Sequence, residues 1–341
     1  WKEFSSIEEI AVMEDPSVLT INVETAGDLS DIFSNYDVDP LTVTELTITV
    51  QLNGTDLRLI REMAGNDYLG KPTDGKLKKL DISGANIVEG GEKYLDTDQV
   101  TSSTGSPLPN IGENSFHFAT QNNVLGSGLF AGCDKLEEIV LPNSITSIGD
   151  YVFWYCLNLQ SLEIPKDVSS IGWRFINGPN NISKFSVAEG NLNFSSPEDS
   201  NVLMQGTKLI LGLNRAIIPA GTTIIGSEAF INCTGINDIA VPEGVTTIEG
   251  GAFAWSSLSD IDLPSTLTTI ENDAFAGCTD LESFTLPKSV VSYGDGSEDG
   301  LGALKDCISL RSIKVEEGNT KYDSRDNCNA IIETATNTLV S

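Results

Sequence analysis

A chain of 341 residues with 49 acidic and 20 basic side chains carries a formal charge of −29. That charge repels phosphate backbones and anionic lipid, which argues against nucleic acid and membrane-surface partners. Hydrophobic residues at 40% and aromatics at 7% fit a folded protein and exclude a disordered one, and a single histidine, His117, removes most His-dependent chemistry.

At this length the chain is two domains or one elongated repeat array. Residues 1–40 are polar and acidic with strand-like pieces such as Ser17–Thr25, and read as the edge of a capping region. Val43, Leu46 and Ile48 fit a half-buried strand. Asp56–Ala64, followed by Gly65, predicts a short helix on the outer face. Leu77, Leu80 and Ile82 give the next strand, and residues 95–110 a polar loop. Two related pieces follow, Ile111–Phe116 and Leu125–Phe130, which predicts an irregular coil there. No apolar run approaches the roughly 18 residues of a membrane span. Six cysteines without a CxxC pair are too sparse for a disulfide scaffold or a structural zinc site. The chain opens at Trp1 without a leader segment, so either a signal peptide has been removed or the chain has been trimmed.

From Leu141 onward the dominant feature is a repeat. Pro142 and Pro165 are 23 residues apart, and Pro219, Pro242, Pro264 and Pro287 follow one another at 23, 22 and 23. After Pro264 the apolar positions are Leu267, Ile270, Phe275, Leu281, Phe284 and Leu286, and the same offsets recur after Pro142. Each copy reads as one solenoid turn. An L-x-x-L-x-L strand ends at the proline, a second short strand covers the T-T-I stretch, and one phenylalanine per coil fills the interior by stacking on the next. Cys133, Cys156, Cys233, Cys278 and Cys307 each sit three residues after the phenylalanine position, an inward slot that predicts buried free thiols; Cys328 falls outside the pattern. The 54 residues between Pro165 and Pro219 form an enlarged unit. Its segment 187–211 resembles 315–340, and both predict a long loop and a hairpin between ordinary coils.

The pattern P-x-x-[VIL]-x-x-I-x-x-x-A-F-x-x-C-x-x-L-x-x-[IF]-x-[LIV]-P, spread over roughly residues 110–341, resembles the BspA-like, Treponema-type leucine-rich repeat of bacterial surface and secreted proteins. Segments 52–65 and 76–94 are similar to the flank that precedes such repeats. The expected fold is therefore mainly β with minor α, a curved and elongated leucine-rich-repeat solenoid of short parallel strands. Residues 1–75 would be an N-terminal flanking or capping region and 76–341 the solenoid, with enlarged units near 187–218 and 315–341. The resemblance implies an extracellular or cell-surface module that adheres to a host or microbial protein or glycan, with no cofactor. A self-assembling surface-layer protein is the alternative, and a glycan-processing enzyme a more distant one.

Catalytic constellations are missing from the sequence: it has no G-x-S-x-G, no H-E-x-x-H, no second histidine to partner His117, and no phosphate-binding glycine loop. The loop 293–300, with Asp295, Glu298 and Asp299, has oxygen ligands between glycines but lacks a full calcium-loop spacing, so no metal site is assigned. Trp154, Tyr155 and Trp173 form a candidate aromatic patch in neighbouring copies, suited to stacking on sugars or anchoring a protein, or to padding between coils. Outward positions of the strands are acidic in the middle of the array, at Glu137, Glu138, Glu163, Asp238, Asp260, Asp262 and Glu282, with basic residues such as Lys78, Lys79, Arg311 and Lys314 toward the ends. This face would attract a basic partner, or would only keep a sheet face soluble. The last unit reads as incomplete at Ser341, which predicts that the natural chain continues or that its C-terminal end packs on another chain.

Overall fold

The computed structural model describes residues 10–12, 15–96, 118–177, 182–294 and 302–341. Of the described residues, strands take up 27% and helices 9%, and the chain divides into two compact units, the first running to Ile182 with 187–192 and the second covering 183–186 with 193–341.

In the first unit, five segments lie parallel and in register: Val18–Val23, Glu45–Leu52, Lys79–Ile87, Glu138–Val140 and Ser161–Ile164. Ile10–Val12 closes one edge antiparallel to Val18–Val23. Alternation turns every second side chain of a strand inward, as with Leu19, Ile21 and Val23 of the first. Register then stacks Leu19, Leu46, Leu80 and Ile139 into one column, all nearly inaccessible, with Leu162 buried in the next strand. The parallel ladder thus begins well before the proline-spaced repeats. A second, shorter ladder joins Val124–Leu125, Ser147–Ile148 and Ser170–Ile171, as the T-T-I stretch predicted.

Helix α1, Leu29–Asn35, was not foreseen in a segment read as strand-like. Its signal is the spacing of Leu29, Ile32 and Phe33, which buries one face but spans too few residues to show a period. Helix α2, Gly54–Met63, was expected, and its ends follow from chemistry: Asn53 and Asp56 form a reciprocal capping box, and Gly65 beyond it takes φ +100°. Asp56 also accepts the backbone N–H of Gly27 at 2.6 Å and of Leu29 at 3.0 Å, fixing the chain before α1 against α2. From α2, Arg61 is fully buried and donates to the carbonyls of Gly128, Leu129 and Ala131 and to the Asn66 side chain. A buried guanidinium is tolerable because its terminal N–H groups are used in this way, while Nε has no partner among the described residues.

The second unit repeats the plan. The hairpin Val202–Gln205 with Lys208–Gly212 opens it, as expected from the enlarged unit. Ile224–Ile225, Thr247–Ile248, Thr269–Ile270 and Ser292–Tyr293 then add parallel to Lys208–Gly212, one coil at a time. Inside, the Phe230, Phe253 and Phe275 rings stack at 5.0 and 5.5 Å, within 1° and 2° of parallel. The stack rests on Gly212, where a Cβ would lie 1.9 Å from the Phe230 ring. The recurring cysteine also acquires a reason. Cys156 Sγ donates to the Phe130 carbonyl at 3.1 Å, Cys278 to that of Phe253 and Cys307 to that of Phe275 at 3.2 Å, each one coil back. All six thiols are free.

One expectation needs correction. The L-x-x-L-x-L segments at 236–241 and 258–263 bury their apolar residues, Leu263 only in part, but form no regular strand. The repeat stacks Asp238 beside Asp260, and like charges at one ladder position oppose pairing. The coil at Leu125–Phe130 is regular, while Ile111–Phe116 lies outside the described residues. Three short strands follow the final described coil. Tyr322–Asp323, Ile332–Glu333 and Thr338–Leu339 form an antiparallel meander. It buries Tyr322, Ile331 and Val340, and the Ser341 hydroxyl accepts from Tyr293 Oη at 2.9 Å.

The two enlarged units are equivalent in detail. Asn191 donates its side-chain amide to the carbonyls of Pro165 and Val168, and Asn319 does the same to Pro287 and Val290, every bond at 3.0 Å. The preceding glycines, Gly190 and Gly318, take φ +88° and +93°.

Candidate functional site

Two surfaces carry the candidate residues. On the strand face of the first unit, Glu138 and Glu163 are exposed, but Glu137 is tied to Lys78 at 2.8 Å. Beside them Lys79 pairs with Glu45 at 2.8 Å. A shallow depression here is lined by Glu45, Thr47, Lys79, Asp81, Glu138 and Val140. This part of the face is therefore of mixed charge, a feature that the order of acidic residues along the sequence did not reveal because ladder register decides which charges meet. In the second unit Asp238, Asp260, Asp262 and Glu282 are all exposed. Asp260 lies one coil from Asp238, since its backbone N–H and that of Ser259 both donate to the Asn237 carbonyl. Arg311 N donates to the Glu282 carbonyl, setting a cation one coil beyond the acidic row.

The other surface is the turn side of the coils, where the phenylalanine sits between two residues of left-handed backbone. Gly128 and Gly132 flank Phe130, Gly251 and Trp255 flank Phe253, and Asp273 and Gly277 flank Phe275. Glycine, asparagine and aspartate tolerate this conformation, whereas bulky side chains lose on the order of 1–2 kcal/mol in it. At Phe153 the two positions are Tyr151 and Tyr155, both at φ +56°, and in the next coil the first position is Arg174 at φ +48°. The sequence singles out Trp154, Tyr155 and Trp173; the structure sets Tyr151 and Arg174 beside them. The signal that points to them is the four-residue spacing of glycine, asparagine and aspartate around most phenylalanine positions, broken also at Glu228 and Trp255.

These residues meet. Tyr151 stands edge-on to Trp154 at 5.1 Å and to Trp173 at 5.3 Å, and Tyr155 adjoins Trp154 at 5.5 Å. The Arg174 guanidinium lies 4.3 Å from the centre of the Trp173 ring. Trp173 is 53% and Tyr155 37% exposed. In the second unit Trp255 is 56% exposed and its ring lies across Gly277, where a Cβ would come within 2.4 Å of it.

Among the described residues no three His, Cys, Asp or Glu side chains are grouped to hold a metal ion, and no helix is long and apolar enough to cross a membrane. His117 and the loop with Asp295, Glu298 and Asp299 lie outside the described residues. Burial pushes the thiols up, to about 11 at Cys133 and about 12 at Cys233.

The family described as BspA type Leucine rich repeat region matches residues 109–197 and 210–331 in six copies. No curated protein matches the chain. Among solved structures, the pneumococcal vaccine antigen PcpA is similar in fold, with a TM-score of 0.51 at 20% identity over 82% of this chain; the alignment spans 63% of that antigen. A leucine rich cell surface protein of Faecalibacterium prausnitzii aligns over 91% of this chain and 86% of its own at 18% identity and a TM-score of 0.46. A leucine-rich repeat protein of Bacteroides ovatus aligns over 91% and 70% at 13% identity and a TM-score of 0.36. With six repeat copies matched over more than half of its length, and with those repeats folded as in-register coils, the chain belongs to the BspA-type leucine-rich-repeat family.

Proposed function

We propose that the chain is an extracellular, cell-surface binding module that captures a basic protein partner on the outward face of its repeat coils. The carrying observation is the contrast between the two sides of the ladder. Inward positions repeat the same apolar residue types from coil to coil, while outward positions differ from coil to coil and, in the second unit, present Asp238, Asp260, Asp262 and Glu282 to solvent. A solenoid that holds its interior constant and varies its surface suits recognition of a large partner better than turnover of a small one. The family's surface-protein context supports the extracellular location. Acidic residues in a row raise the association rate of a basic partner, and salt weakens the effect over a Debye length of about 8 Å.

The experiment is capture on an array of matrix proteins and glycans, followed by association kinetics. A basic protein should bind, more slowly as salt rises, and Asp260→Lys with Asp262→Lys should slow association and flatten the salt dependence. Binding unchanged by both the reversal and salt would move the site off this face.

A further inference from the structure

We infer that the aromatic ridge of the first unit, Tyr151, Trp154, Tyr155 and Trp173 with Arg174, is a binding platform for an uncharged carbohydrate, separate from the acidic strand face. Backbone conformation is the first argument. Tyr151, Tyr155 and Arg174 occupy left-handed positions that other coils fill mostly with glycine, asparagine or aspartate, at Gly128, Gly132, Asn232, Gly251, Asp273, Gly277 and Asp306, with Glu228 and Trp255 as single bulky residues in their coils. Three bulky residues in two adjacent turns hold a conformation that costs them more than it costs glycine or asparagine, and such outliers gather where a surface has a task.

Trp154 supplies the second argument. Its indole N–H is buried and has no acceptor among the described residues, another unfavourable feature kept within the same cluster. Rigidity supplies the third. Tyr151 N donates to the Trp173 carbonyl at 3.2 Å, Phe153 N to that of Phe175 at 2.7 Å, and the Trp173 N–H to the Asp150 carboxylate at 2.6 Å, so the rings stand on a fixed scaffold. A platform that is already rigid loses little entropy when a ligand binds.

Ligand class follows from the chemistry of the rings and their surroundings. Aromatic faces are electron-rich and attract polarised C–H groups, which the axial side of a sugar ring supplies. Beside the rings stand groups that hydrogen-bond to hydroxyls: the Arg174 guanidinium over Trp173 and the Asp150 carboxylate that accepts the Trp173 backbone N–H. A chain of net charge −29 disfavours sulfated or carboxylated polymers. A protein partner would cover roughly 800 Å² on each side with an apolar centre, whereas among the described residues near the rings in sequence the one exposed large aliphatic is Leu157.

The test is affinity electrophoresis of the full chain through gels containing mannan, β-glucan, xylan or amylose, with polygalacturonate as the anionic control. Tryptophan fluorescence is titrated with whichever polymer retards migration. At least one neutral polymer should retard the chain and polygalacturonate should not. Trp173→Ala and Tyr155→Ala should each weaken retardation on the order of tenfold, with unchanged circular dichroism and melting. The Asp260→Lys, Asp262→Lys variant should behave as wild type, which keeps failure of this inference distinct from failure of the strand-face reading. The inference is overturned if no neutral polymer retards the chain, if both ridge variants are retarded like wild type, or if the ridge variants lose a protein partner while no glycan binds.

Discussion

Replacing Phe253 by alanine tests whether the second unit is held by its column of rings. Phe253 is fully buried and has a parallel ring on each face, Phe230 at 5.0 Å and Phe275 at 5.5 Å. Truncation of a buried phenylalanine costs about 3–5 kcal/mol through lost transfer energy and the cavity left behind. Each stacked pair contributes roughly 0.5–1.5 kcal/mol beyond area, and two pairs vanish, so the upper end of the range, about 5 kcal/mol, is expected. Phe130, with one stacked partner at 5.8 Å and the same burial, should cost less when truncated, about 3–4 kcal/mol. Coils exchange stability with their neighbours, so the loss should destabilise the second unit as a block. Urea unfolding followed by circular dichroism, with hydrogen exchange to locate the transition, measures both effects. A Phe253→Ala loss under about 1.5 kcal/mol, or one no larger than for the exposed Trp255→Ala, would refute the reasoning.

Glu228 occupies a left-handed position at φ +56°, so Glu228→Asn should stabilise the chain by roughly 1 kcal/mol in the same urea titration. Thiol titration of the native chain at pH 8 should show one fast thiol, Cys328, which is exposed, with the other five reacting after unfolding; burial holds Cys307 at about 12 although it is partly accessible. Hydrogen bonds from Arg325 hold the Asp323 carboxyl at about 2, below its ordinary 3.8. A depressed carboxylate stabilises the fold above its unfolded value and loses that contribution as pH falls through the folded one. The C-terminal meander should therefore loosen to proteolysis by an acid-stable protease between about pH 4 and pH 2, and Asp323→Asn should remove that dependence.

Much of the fold was legible because a solenoid writes its interior into the sequence at a fixed period. Proline spacing, one phenylalanine per coil and the cysteine slot all name inward positions, and Phe230, Phe253 and Phe275 stack as that period requires. Helix α1 was illegible because seven residues hold barely two turns. The coils at Asp238 and Asp260 read as strands because apolar spacing records burial and not hydrogen bonding between neighbours. Site geometry was the least legible part. Glu137 reads as an acidic outward residue until register brings Lys78 to it, and Tyr151 and Arg174 gain meaning only once their backbone is seen to be left-handed.

Carboxyl footprinting of the chain bound to the basic protein retained on the array tests the central claim most directly. Asp238, Asp260, Asp262 and Glu282 are exposed in the free chain, as are Glu198 and Asp199 on the first enlarged unit. The account predicts that a water-soluble carbodiimide modifies the first four far more slowly in the complex while Glu198 and Asp199 react as before. Protection of Glu198 and Asp199 with the strand-face carboxylates still reactive would contradict it.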